Sequence, residues 1–376
     1  MKTFRRLFLS FFSVTILLLL LELYFRFLNP QMDDKLFQRD PRLGWKFIPD
    51  KTGWVASPPR IKQKIHINPQ GFRDKPFVFP DPSLKKIFVL GDSFTSNLSV
   101  PDEAVFTEVM ERRLQNISVM NLGVNGYGQV QELLSLKQQA DIYHPDLVIV
   151  IIYVLNDFID NTSGLNWSAT LFPGPYARWN PTRQDIEIIF PKRPAKTKVS
   201  LVEESHLAQF LIARWNLLRF KIGRFFEKND YFSPESVDTD LLEMLYFRKN
   251  LSPEIAQSYR ISERLLSMIS RECKKRNMPH FFVIAPSREQ VDPRIFEEYV
   301  SSNHKDLSRY DWLKPNKVLM AYAKKNNLNM LDLYPRLSQE HQRGKRLYDE
   351  DEEHWTIEGN EVVADELLKF IRSFSD

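Results

Sequence analysis

Along most of the chain, short apolar runs alternate with longer stretches whose apolar residues recur three and four positions apart. The runs at Ile87–Leu90, Ser118–Asn121, Asp146–Tyr153, His280–Ala285 and Asn329–Asp332 are rich in β-formers and predict strands. Between them the spacing predicts helices over Phe106–Leu114, Gln129–Ala140, near Ile261–Lys275 and near Lys317–Asn326. A final helix from about Ile357 to Phe374 places Val363, Leu367, Phe370, Ile371 and Phe374 on one face. Strands alternating with helices argue a parallel sheet covered on both sides. The predicted fold is therefore a three-layer α/β/α arrangement around a mostly parallel sheet.

Two regions depart from this rhythm. Residues 30–80 are rich in Pro, Lys, Arg and Asp, and Ile65–Asp74 alternates and then turns. That pattern predicts a spacer with a small strand pair, packed on a main domain over 81–376. The interval from about 160 to 250 is an insertion with Asn- and Pro-rich loops. Its helix candidate, Leu207–Phe226, mixes Arg214, Arg219, Lys221 and Arg224 with five aromatic residues. Such a segment fits a membrane interface or a lid on the domain.

The amino terminus, residues 1–29, is a third kind of segment. Lys2, Arg5 and Arg6 precede fifteen uncharged residues, Leu7–Leu21. Those fifteen span only about 22 Å as a helix, which suits a signal-peptide core. Yet no small-residue cleavage site follows, and Tyr24, Phe25 and Phe27 with Arg26 form an interfacial collar. The reading is a transmembrane anchor through residues 7–28 with a cytoplasmic amino end, a cleaved signal being the alternative. The catalytic part is expected outside the cytoplasm, in the periplasm if the host is Gram-negative.

Composition narrows the chemistry. The 52 basic and 48 acidic residues nearly cancel, and no basic stripe with interleaved aromatics supports nucleic-acid binding. A single cysteine, Cys273, excludes an intramolecular disulfide framework, and no Cys/His spacing fits zinc. No cofactor or metal is expected. Five Asn-x-Ser/Thr sequons begin at Asn97, Asn116, Asn161, Asn166 and Asn250.

Directly behind the first strand stands Gly91-Asp92-Ser93-Phe94-Thr95, a tight turn that delivers a hydroxyl to the carboxyl end of a parallel strand. A serine needs a base, and the base needs a group to fix its tautomer. Asp351-x-x-His354 offers both at a spacing that lets the carboxylate reach the imidazole. An oxyanion needs donors, and two candidate stretches lie at strand ends: Asn121–Gly128, with glycines at 123, 126 and 128, and Asn156-Asp157. The glycine stretch lacks Gly-Lys-Ser/Thr, which rules out a Walker site.

In that order and at those places, the four pieces resemble the GDSL or SGNH hydrolase family over roughly residues 85–370, the insertion excepted. The resemblance implies an SGNH/flavodoxin-like domain with Ser93 as nucleophile, His354 as base and Asp351 as its orienting partner. It implies an oxyanion hole from the Ser93 N–H, Gly126 (with Gly123 as the alternative) and the Asn156 side chain. One departure stands out: the family's third block usually reads Gly-x-Asn-Asp, whereas Val154-Leu155 precede Asn156 here. The expected activity is removal of small acyl groups from a carbohydrate or lipid through an acyl-serine intermediate. The alternatives are O-acyl transfer to an exported polysaccharide and a silent glycan-binding module.

Overall fold

The computed structural model describes residues 2–27, 36–57, 61–77, 84–162, 174–191, 242–302, 305–350 and 353–375, with a few positions between 205 and 214. The chain divides into two compact units, one of residues 1–34, 53–63 and 194–239 and the other of the remainder.

The first unit holds helix α1 (Lys2–Phe27). Its residues 4–27 are long and apolar enough to cross a membrane, about 36 Å at 1.5 Å per residue. The Ser13 and Thr15 hydroxyls each donate to the carbonyl four residues earlier, at 2.9 Å, so neither is left unsatisfied. At the polar end Arg26 pairs with Glu22 at 2.9 Å. Glu22 also accepts from Ser205 Oγ and the Leu207 N–H, and Phe25 stacks on Phe210 with ring centroids 4.4 Å apart. Apart from Leu207, Ala208, Phe210, Leu211 and Arg214, the 207–226 segment lies outside the described residues.

The second unit is built on five strands: β5 (Lys85–Leu90), β6 (Ile117–Asn121), β7 (Leu147–Tyr153), β10 (His280–Ala285) and β11 (Met330–Asp332). They lie in the order β11-β10-β7-β5-β6, and every neighbouring pair is parallel. All seven residues of β7 are buried, as a strand covered on both faces requires. Ile149 and Ile151 join Ile87, Val89 and Val283 in a core closed by Val109, Val363 and Leu367. The intervening Val148, Val150 and Ile152 face the opposite layer. Helices α3 (Phe106–Arg113) and α11 (Ile357–Ser375) pack together, as do α4 (Gln129–Tyr143) and α6 (Pro253–Lys275).

The chain passes from β5 to the edge strand β6 and then back across β5 to β7, so its direction of winding reverses between β5 and β7. In open α/β sheets the crevice at such a switch point, outside the carboxyl ends of the strands, is where ligands bind. Edge strand β6 is closed by carboxylates rather than by another strand: the Asn121 N–H donates to Asp74 at 2.7 Å and the Val119 N–H to Glu111 at 2.8 Å.

Four short strands precede the sheet: β1 (Phe37–Asp40) pairs with β2 (Gly44–Phe47), and β3 (Thr52–Ser57) with β4 (Ile61–His66). Residues 68–75, where the alternation was expected to give way to a turn, form a compact turn around Asn68, which accepts from the Gln70 and Phe72 N–H groups. The described part of the insertion contains the hairpin β8 (Tyr176–Asn180) and β9 (Asp185–Ile189). It is fastened to α6 by an Arg264–Asp185 pair at 2.5 Å and by Ile186 and Ile188 against Ile261 and Leu265.

Candidate active site

Ser93 opens helix α2 (Ser93–Ser96), a single turn reached from β5 through Gly91 and Asp92. Asp92 caps it, accepting from the Phe94 N–H at 2.9 Å. Gly91 has to be glycine, because a Cβ there would drive into the Thr95 side chain and stand 3.2 Å from Ile151. Phe94 locks the turn, stacked on Tyr153 at 3.9 Å with Trp355 edge-on at 5.0 Å.

His354 arrives from the other end of the chain, on a loop closed by a Tyr348–Trp355 bridge and by Thr356 N–H to Leu347 O at 3.0 Å. Within it the Asp349 N–H donates to the His354 carbonyl at 2.8 Å, and Glu353 turns the chain with φ +60°. The imidazole Nε2 lies 2.8 Å from Ser93 Oγ, and its ring meets Phe94 at 5.0 Å. Asp351, the expected orienting acid, lies outside the described residues.

The glycine stretch lies beside this pair. Asn121 is buried and scaffolds it, donating to Thr95 O at 2.8 Å and to Thr107 at 3.1 Å while accepting from the Gly123 N–H at 3.0 Å. Gly123 therefore has its N–H engaged, and a Cβ on it would fall 2.5 Å from that of Thr95. Gly123 is a packing glycine that lets the two turns touch. Gly126 differs: it is half-buried with φ +75°, and no described residue accepts from its N–H. The loop is anchored by Trp45 of β2, whose Nε1 donates to Asn125 O at 2.9 Å and whose carbonyl accepts from Tyr127 OH at 2.7 Å.

Asn156 follows β7, as its place in the sequence requires, but its NH2 group turns toward carboxyls. It donates to Asp160 at 3.0 Å and also hydrogen-bonds Asp92. Val154, which stands where the family has glycine, and Leu155 are both buried and hold this stretch against the core. The structure thus brings Ser93 and His354 together, sets the Asn121–Gly128 stretch against the serine's turn through Gly123 and Asn125, and places Asn156 beside Asp92.

Around Asp92 is a feature the sequence did not reveal. Asp92, Glu132, Asp157 and Asp160 are all buried. Burial pushes Asp92 up to about 6, against the pull of the Phe94 and Asn156 hydrogen bonds. Glu132 and Asp157 are raised well above the usual carboxylate range by burial, with the Asp92 charge adding to it. Asp157 still accepts from Gln129 at 2.6 Å and from the Tyr153 N–H at 3.0 Å. Neither oxygen of Glu132 has a hydrogen-bond partner among the described residues.

Among the described residues no group of His, Cys, Asp and Glu is placed to hold a metal ion. Cys273 is free and buried, its thiol pushed up to about 12, and takes no part. Two sequon asparagines, Asn97 and Asn161, are buried, so neither is an acceptor for glycosylation in the folded protein.

Two family models match complementary parts of the chain. One, described as GDSL-like lipase/acylhydrolase, covers residues 87–189 and so includes Ser93, Gly126 and Asn156. The other, described as the SGNH hydrolase-like domain of acetyltransferase AlgX, covers residues 245–375 and includes His354. No curated protein matches the chain. Solved structures that resemble it include a lipolytic G-D-S-L family protein from Veillonella parvula, at 13% identity and TM-score 0.38, covering 76% of this chain and 97% of that one. An acetyl xylan esterase, AlAXEase, aligns at 12% identity and TM-score 0.40, over 76% and 99% of the two chains. A lipase/acylhydrolase from Enterococcus faecalis aligns at 14% identity and TM-score 0.37, over 77% and 96%. With residues 87–189 matched by one model of the family and residues 245–375 by another, this chain belongs to the GDSL/SGNH hydrolases.

Proposed function

We propose that the protein transfers small acyl groups from an esterified carbohydrate or lipid by way of an acyl-Ser93 intermediate, on the outer side of a membrane. The observation that carries this reading is the 2.8 Å contact between Ser93 Oγ and His354 Nε2, from residues 261 positions apart. His354 Nε2 takes the hydroxyl proton as Oγ attacks the ester carbonyl carbon. The tetrahedral oxyanion is held by the Ser93 and Gly126 N–H groups and by Asn156, whose amide swings from Asp160 toward it. The intermediate collapses, the C–O bond to the alcohol breaks, and the imidazolium returns its proton to the departing oxygen. Asp351 steadies the imidazolium. A second nucleophile, activated by the same imidazole, then releases the acyl group and restores Ser93.

Water as that second nucleophile makes the protein an esterase. A sugar hydroxyl makes it an O-acyltransferase, a reading favoured by the acetyltransferase-type model that matches residues 245–375. Lys2, Arg5 and Arg6 in the first turns of α1, ahead of its apolar run, support a cytoplasmic amino end and an extracytoplasmic site. Ser93→Ala is expected to abolish both hydrolysis of a short aryl ester and covalent labelling by a fluorophosphonate, with the fold intact. Hydrolysis persisting at the parent rate would sink the assignment. Partition of the acyl group between water and added glycans then separates esterase from transferase.

A further inference from the structure

We propose that Asn97 is a positioning residue that sets the Ser93–His354 distance by tying the serine's helical turn to the residue that follows the histidine. Asn97 ends α2 in the left-handed conformation, φ 36° and ψ 68°, and its N–H donates to Ser93 O at 2.8 Å. Its side chain is fully buried and donates through Nδ2 to the Trp355 carbonyl at 2.9 Å. Together with the Ser93–His354 contact these bonds close a ring: serine hydroxyl to imidazole, imidazole along one residue of backbone to Trp355, Trp355 to Asn97, and Asn97 back to Ser93.

The ring matters because Ser93 and His354 are 261 positions apart. Phe94 packs on His354 and Trp355, and Tyr348 OH donates to Pro286 O at 2.7 Å, but ring packing leaves the loop free to slide where a directed hydrogen bond from the serine's own turn does not. Asn97 is in turn held rigid from behind by Arg73. That guanidinium is buried, donates to the carbonyls of Ser96 at 2.9 Å, of Asn97 and of Val100, and pairs with Asp102 at 2.8 Å. The serine turn and the histidine loop are therefore registered through one amide. A small misplacement of reacting groups costs rate rather than binding.

A capping role alone makes a different prediction. Glycine adopts the left-handed conformation without strain, so a residue kept only for its backbone is replaced by glycine at little cost. The Trp355 carbonyl also accepts from Asn360 at 3.1 Å and is not orphaned when Asn97 is removed. This inference rests on Ser93 and His354 being the catalytic pair, and the test separates the two.

Asn97→Gly, Asn97→Asp and Ser93→Ala are compared in the full chain by aryl-ester kinetics, fluorophosphonate labelling rate and thermal melting. Asn97→Asp keeps the shape without the donor and carries the test if the glycine variant does not fold. The expected result is a fall in kcat and labelling rate on the order of 10- to 100-fold in both Asn97 variants, with KM changed less than about twofold. Labelling lost in Ser93→Ala yet undiminished in a folded Asn97 variant overturns the positioning role alone. Labelling that persists in Ser93→Ala overturns the catalytic pair and this proposal with it.

Discussion

Glu132 is at odds with its surroundings, a buried carboxyl with no hydrogen-bond partner among the described residues. Its folded pKa is raised, so the folded protein keeps a proton that the unfolded chain releases above about pH 4. Stability from this group is therefore fully present below that point and is lost as pH rises from it toward the raised folded value. Asp92 acts in the same direction, with its loss spread between about pH 4 and the value near 6 to which burial raises it. Glu132→Gln removes the unfolded-state advantage. It is expected to raise the melting temperature at pH 7 and to raise it less at pH 4; an equal shift at both would contradict the raised pKa. At this scale the sequence was partly legible. Ser93 and His354 stood out because a nucleophile and its base need particular residue types at strand ends. Asn97 and Glu132 did not, since an asparagine in a sequon and a glutamate on a polar helix read as surface residues. Only the packing of Trp355 and Asp92 against them reveals their roles.

Among the elements, the five sheet strands were readable within two residues because each is a short run of β-formers, and the central β7 is buried on both faces. Helix α6 begins at Pro253, eight residues before the expected start, where Ser252 caps it and proline takes the first turn. Helix Tyr334–Gln342 was missed, having Leu337 as its one buried large apolar residue. The β8–β9 hairpin was missed because its strands are short and only half-buried. Hairpin β1–β2 has a role out of proportion to its size, since Trp45 carries both hydrogen bonds to the 125–127 loop beside an edge-on contact with Tyr127 at 5.7 Å. Trp45→Ala is expected to cost about 3–5 kcal/mol in urea unfolding. It should also lower the labelling rate of Ser93, because the loop that presents Gly126 loses its anchor. Trp45→Phe, which keeps a ring but not the Nε1 donor, should fall between. Unchanged labelling in the alanine variant would show that the glycine loop holds itself.

For the whole molecule, alternation of strand and helix was enough to give the layered fold, but not the strand order. That order, with β5 between β6 and β7, follows from pairing that no local pattern encodes. It is what sets Ser93 and Asn156 side by side at the ends of adjacent strands. The apolar α1 sits in a unit separate from the sheet. Removing residues 1–28 is expected to move the protein from the membrane fraction to the soluble one with aryl-ester turnover retained. A truncated protein that still sediments with membranes would point to a second lipid contact.

The division of the site between distant parts of the chain has a temporal consequence. Ser93 and its glycine loop leave the ribosome early, whereas His354 follows 261 residues later, on the loop that leads into α11. On the proposed mechanism, a nascent chain carries an unactivated serine until that loop is made. For the same reason, proteolytic loss of the carboxyl-terminal segment would remove the proposed base together with the Trp355 contacts that brace the serine turn.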